Sequence, residues 1–217
     1  MRSSIVSDFA MDVVRPAVLK IGGVFFDKGD RNLNLIAGRT PNVQAGLFDD
    51  WAFLIQKIDG KWDIESLRIT TDPGDPEHAK NKAGAARIAP QQARGAWEIS
   101  YHHYGDPERR YPALRQRKPI LIERHKDNLL DEPVSTASEL IYANWHAAGL
   151  SPFVNPFDNR WSPGRRVGNW SEGCIVMADA LEYATLFWPT ILLSAAAYGP
   201  KFTGTLVNIP DPPWAKK

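Results

Sequence analysis

The chain has 217 residues, with 26 Lys and Arg against 25 Asp and Glu, and a single cysteine, Cys174. That length allows one full core, or one domain with a small appendage. Near-balanced charge without a basic stripe argues against nucleic acid as a partner, and one cysteine excludes an internal disulfide or a cysteine-rich zinc site.

Residues 5–22 are mostly apolar with Asp and Arg interspersed and end at Gly22-Gly23. This predicts a helix that kinks or restarts at Pro16 and stops at the glycines. Asp8, Asp12 and Arg15 interrupt any apolar core there, so no secretory signal is read. A strand is expected near Leu33–Gly38. Trp51–Ile58 and Lys61–Thr71 flank Asp59-Gly60, the strongest hairpin signature in the chain. Asp72-Pro73-Gly74-Asp75-Pro76 then breaks the chain, and residues 77–94 read as a polar loop.

Short strands are expected at Gly95–Tyr101, Ile120–Arg124, Leu140–Trp145, Cys174–Met177 and Thr203–Ile209. The basic residues from Arg109 to Lys118 are scattered among Pro, Tyr and Leu and read as a solvated strand or loop face. Asp179 with Glu182 resembles a capping box opening a helix that Gly199-Pro200 ends. Ala184–Tyr198, the longest apolar stretch, is too short to span a bilayer, so no membrane insertion is expected. The whole reads as mainly β, sandwich- or barrel-like, with a helical segment over 1–28 and a domain over 29–217 that carries a late helix.

Chemistry concentrates at Ser171-Glu172-Gly173-Cys174-Ile175-Val176-Met177. A polar, bendable turn delivers one thiol as an apolar run begins, which suits a nucleophile. The competing reading is a buried cysteine acting as a small hydrophobe. Five histidines compete as its base. His78 and His125 read as surface residues. His102 and His103 are adjacent, so on a strand only one can face a given site. His146 closes a strand-like run before small residues and is the preferred base. His103, His146 and Asp72 are the alternative, as zinc ligands, though without a recognisable spacing. Trp145 and Trp170 lie close in sequence to the two candidates and are assigned to the wall of a groove.

The Cys174 segment resembles the catalytic motif of the L,D-transpeptidase (YkuD-like) superfamily. It is most similar to a divergent Trp-Ser-x-Gly-Cys branch seen in phage and bacterial cell-wall proteins. Asn144-Trp145-His146, Thr70-Thr71-Asp72-Pro73-Gly74, Arg94-Gly95-Ala96-Trp97 and Tyr111-Pro112-Ala113-Leu114 extend the likeness. It departs where Glu172 replaces the usual histidine, where Val176 replaces an arginine, and where a longer interval, Ser151–Arg166, suggests a lid.

The resemblance implies a cysteine acyl transferase or peptidase on peptidoglycan stem peptides, needing neither metal nor organic cofactor. Cys174 is its nucleophile, His146 its base, and Gly173 with Cys174 its oxyanion donors. Ser171, Trp170, Trp145 and Asn144 would contact substrate, with Arg165 or Arg166 replacing the missing arginine. Synthesis in the cytoplasm and action at the wall of a host or target cell would involve an export machinery, a virion or an immunity protein. A non-catalytic wall-binding or phage structural module, a metal-dependent wall peptidase and a cysteine hydrolase of another amide are the alternatives.

Overall fold

The computed structural model describes residues 2–108, 110–148, 167 and 171–215. Eight strands form a closed barrel, and three more form a small sheet against it. Along the chain the strands are β1 (Asn34–Arg39), β2 (Asp50–Ile58), β3 (Lys61–Thr70), β4 (Ala85–Ile88), β5 (Gln91–His102) and β6 (Tyr111–Gln116). They continue as β7 (Ile120–His125), β8 (Ser135–Glu139), β9 (Trp145–Ala147), β10 (Ile175–Met177) and β11 (Lys201–Asn208). The barrel order is β1-β11-β5-β6-β9-β10-β3-β2, and the small sheet runs β4-β7-β8. The expected mainly β architecture is therefore a barrel.

Eight strands leave an interior just wide enough for side chains to fill. Leu35, Leu54, Leu67, Leu114, Trp97 and Trp145 occupy it. Trp97 and Trp145 meet edge to face at 6.2 Å, and Trp97 donates its indole N–H to the Ala143 carbonyl at 2.7 Å. Gly204 of β11 is required there, because a Cβ would lie 2.5 Å from the Trp97 ring. The late helix comprises α3 (Ala180–Glu182), a π-helical turn (Tyr183–Phe187) and α4 (Trp188–Tyr198). Asp179 caps it, accepting from the Leu181 and Glu182 amides at 2.7 and 3.0 Å, as its sequence predicts. Tyr183, Phe187, Trp188 and Ile191 join the barrel core. The helix runs from Ala180 to Tyr198, so its 19 residues exceed the apolar stretch read from sequence and are long enough to cross a membrane by length and composition alone. Its inward face is nevertheless built into the barrel.

The N-terminal helix runs as α1 (Arg2–Phe9), a π-helical turn (Ala10–Val14) and α2 (Arg15–Lys20). The irregularity precedes Pro16, which sits in the first turn of α2, where its missing N–H costs least. Phe9, Ala10, Val14 and Val18 cover Ile36, Phe53, Ile55 and Val207 on the outer barrel face. Barrel and helix thus bury β1 on both faces, and its six residues are all buried. The 1–28 segment shares a core with the barrel it precedes. At the expected hairpin, Asp59 and Gly60 both take positive φ, 51° and 74°, the conformation a type I′ turn demands.

Several expected elements move. The supposed loop 77–94 contains β4 and the start of β5, and the basic stretch contains β6. The strand expected at Leu140–Trp145 begins only at Trp145, after Tyr142 has taken φ 59°.

Candidate active site

β9 and β10 are parallel neighbours, pairing Ile175 with Trp145 and Val176 with His146. Side chains alternate along each strand, so Trp145, Ala147, Ile175 and Met177 face the barrel core. Asn144, His146, Cys174 and Val176 fall on the opposite, outer face. The cysteine and the preferred histidine are therefore brought to one side of adjacent strands. Trp145 is corrected by the same register: it is 1% exposed inside the barrel and walls no groove.

Cys174 is half-buried. Its Sγ accepts the Asn144 amide at 3.5 Å and donates to the Tyr142 carbonyl at 3.8 Å. Burial pushes the thiol pKa up, against the opposing pull of the Asn144 amide and the Ser171 hydroxyl. His146 is 2% exposed. Its Nδ1 lies 2.8 Å from the Ala147 carbonyl and 3.2 Å from the Tyr111 hydroxyl, which itself donates to that carbonyl at 2.9 Å. A proton on Nδ1 satisfies the carbonyl and leaves the lone pair on Nε2. Burial lowers the His146 pKa to about 4, partly offset by the Ala147 carbonyl and reinforced by His103. Thiol and imidazole are consequently both neutral at pH 7.

Gly173 takes φ 133°, and a Cβ there would lie 2.9 Å from the Ala86 methyl and 3.0 Å from the Ala86 carbonyl. Only glycine lets the loop pass this close to β4. The Ala86 amide donates to the Glu172 carbonyl at 3.3 Å, and Gly74 donates to the Ser171 carbonyl at 2.9 Å. Glu172, at the position of the usual motif histidine, accepts the Lys80 amide at 3.0 Å and so ties the loop to residues preceding β4. Among the described residues, no acceptor takes the Gly173 or Cys174 amide hydrogens.

The two histidines expected to diverge converge instead. His103 adopts φ 50°, breaking the alternation, and its ring lies 4.1 Å from that of His102. His102 stacks on His146 at 3.9 Å and 12°, and its Nδ1 lies 3.3 Å from Asn144 Nδ2. An open cleft of about 580 Å³ extends from Asn144 and Tyr142 across His102, His103 and Tyr104 to Arg115. The Arg115 guanidinium sits 4.6 Å from the Tyr104 ring centre and 4.6 Å from that of Tyr142. Sequence gave no hint of this aromatic-flanked cation, because its residues come from three separate segments.

Asp72 does not join His103 and His146 in a metal site. It is 1% exposed and bound to Arg87 at 2.7 Å and Arg39 at 3.4 Å. The described residues hold no cluster of three or more His, Cys, Asp or Glu placed for a metal. His78 is exposed and pairs with Asp75 at 3.0 Å, whereas His125, expected at the surface, is 1% exposed. Trp170, Arg165, Arg166 and the expected lid over Ser151–Arg166 lie outside the described residues. No family model, curated protein or solved structure matches the chain.

Proposed function

We propose that the protein is a cysteine-dependent acyl transferase or peptidase of the L,D-transpeptidase kind, acting on peptidoglycan stem peptides. The observation that carries this reading is the placement of Cys174 and His146 on one face of adjacent parallel strands, beside a glycine loop with two uncommitted amides. The substrate class rests on the motif resemblance.

As substrate enters, His146 Nε2 takes the Cys174 proton and Sγ attacks the acyl carbonyl of the third stem residue. The Gly173 and Cys174 amides receive the tetrahedral oxygen, each such donor typically contributing about 3 kcal/mol. The intermediate collapses, the bond to the terminal D-amino acid breaks, and the imidazolium returns its proton to the leaving amine. Water or another amine then attacks the thioester, again deprotonated by His146, and the thiol is restored. Arg115, flanked by Tyr104 and Tyr142, holds a carboxylate of the stem peptide in place of the missing motif arginine, for which Arg165 or Arg166 was expected to substitute. The neutral resting pair means that the thiolate forms only during attack, not as a standing thiolate–imidazolium pair.

The test is incubation of purified muropeptides with wild type and Cys174→Ala, read by mass spectrometry. Loss or exchange of a terminal D-amino acid by wild type alone supports the reading. Unchanged stems with folded wild-type protein overturn it.

A further inference from the structure

A second cavity, of about 500 Å³, opens on the other face of β4. Arg87 of β4 stands directly opposite Glu123 of β7, a spacing of about 5 Å between Cβ atoms on one face. The two do not close on each other. Arg87 gives Nε to Asp72 at 2.7 Å and Nη1 to the Leu130 carbonyl at 2.8 Å. Glu123 lies 3.9 Å from His125 Nε2, beyond hydrogen-bond reach. His125, two residues along the same face, is 1% exposed, and among the described residues neither ring nitrogen has a hydrogen-bond partner. An orphaned buried imidazole in a native fold calls for a partner.

Arg39 enters from the end of β1 at 4% exposure. Its Nε bonds Thr71 Oγ1 at 2.9 Å, and its Nη2 bonds the Ile88 carbonyl at 2.9 Å and the Thr71 carbonyl at 3.3 Å. Arg39 Nη1 and Arg87 Nη2 are left without an acceptor among the described residues. Pro41, Pro90, Pro133 and Pro210 line the cavity and stiffen its walls.

We propose that this cavity binds a small zwitterion of the α-amino acid type. Arg39 and Arg87 take its carboxylate, Glu123 takes its ammonium, and His125 supplies the remaining hydrogen bond. Charge selects this ligand class. A simple oxyanion would meet the Glu123 and Asp131 carboxylates on the same walls, and a simple amine would meet two guanidiniums. The short distance between opposite charges in an amino acid matches one cross-strand pair. The site stands apart from Cys174 and does not depend on its chemistry.

Thermal-shift and calorimetric titrations of the full chain with glycine, L-alanine and D-alanine test this, with acetate and methylamine as single-charge controls. Saturable binding by the amino acids, absent for both controls, is the expected result. Glu123→Gln, at a half-buried position with no direct ion pair to Arg39 or Arg87, should weaken binding about tenfold or more while leaving the ligand-free Tm near wild type. Cys174→Ala should bind as wild type does, so a failed acyl-transfer reading leaves this result intact. As a second measurement, the His125 ring resonances of wild type should shift on titration. Binding of acetate as strong as that of glycine, no saturable binding, or an unaffected Glu123→Gln would each overturn the proposal.

Discussion

The two faces of β4 sit over opposite kinds of chemistry. On one, Ala86 receives the Gly173 loop, and beyond it lie a protonated thiol and an uncharged imidazole. On the other, Arg87 and Arg39 pair with Asp72 in a charged, buried cluster, with Glu123 across the strand from Arg87. On the thiol side burial suppresses charge. The arginine side pairs two guanidiniums with one buried carboxylate, Asp72. One four-residue strand serves both because its side chains alternate.

The sharpest way to break this contrast is at the neutral pair. His146→Gln should cut turnover of muropeptides by about three orders of magnitude, comparably to Cys174→Ala, while leaving the circular dichroism spectrum unchanged. Equal activity in His146→Gln and loss in His103→Gln would move the base to the other end of the histidine stack. On the charged side, Asp72→Ala strips the carboxylate from two buried guanidiniums. A loss of about 3–5 kcal/mol in urea unfolding is expected. Asp72→Asn should lose less, since it keeps hydrogen-bonding capacity without the charge.

Acid should separate the two regions further. His146 titrates near 4 when folded and near 6.5 when unfolded, so the unfolded chain binds the extra proton between those values. Its contribution, about 3 kcal/mol above pH 6.5, is lost as pH falls toward 4. Asp50 runs the other way. Burial, then Asp72 and Asp49, raises its carboxyl to about 7, so its contribution falls as pH rises from about 4 to about 7. Wild type should therefore change little in Tm across that window, and His146→Gln should lose stability with rising pH. The activity profile should likewise show its acid limb near pH 4 rather than 6.5. The smallest effect is expected at the seam between the two regions: Gly173→Ala should cost about 1–3 kcal/mol of stability and lower activity, because its φ and its contact with Ala86 both resist a side chain.

What was legible in the sequence is what carries local clues. Asp59-Gly60 and Asp179 carry their own turn and cap chemistry, and Gly173-Cys174 announces itself by composition. What stayed hidden was set by tertiary contact. β6 reads as a solvated strand or loop face, yet Tyr111, Ala113, Leu114 and Gln116 are buried. His102 and His103 obey strand alternation until His103 turns to φ 50°. Asp72 reads as a turn residue, yet it anchors two arginines and, through Gly74, the Ser171 end of the cysteine loop. Nothing in a linear pattern marks His125 as buried.

The parallel pairing of β1 with β11 closes the barrel between residues 169 apart in sequence, Leu35 with Gly204 and Arg39 with Asn208. Strands β1 and β5 cannot be bridged until a ribosome has delivered β11, and until then both present open edges. Such distant closure makes folding slow. It also makes the nascent chain dependent on protection from edge-to-edge association. A transcript cut short within β11 would yield an aggregation-prone seven-stranded sheet, open at β1 and β5, with its cysteine loop already made.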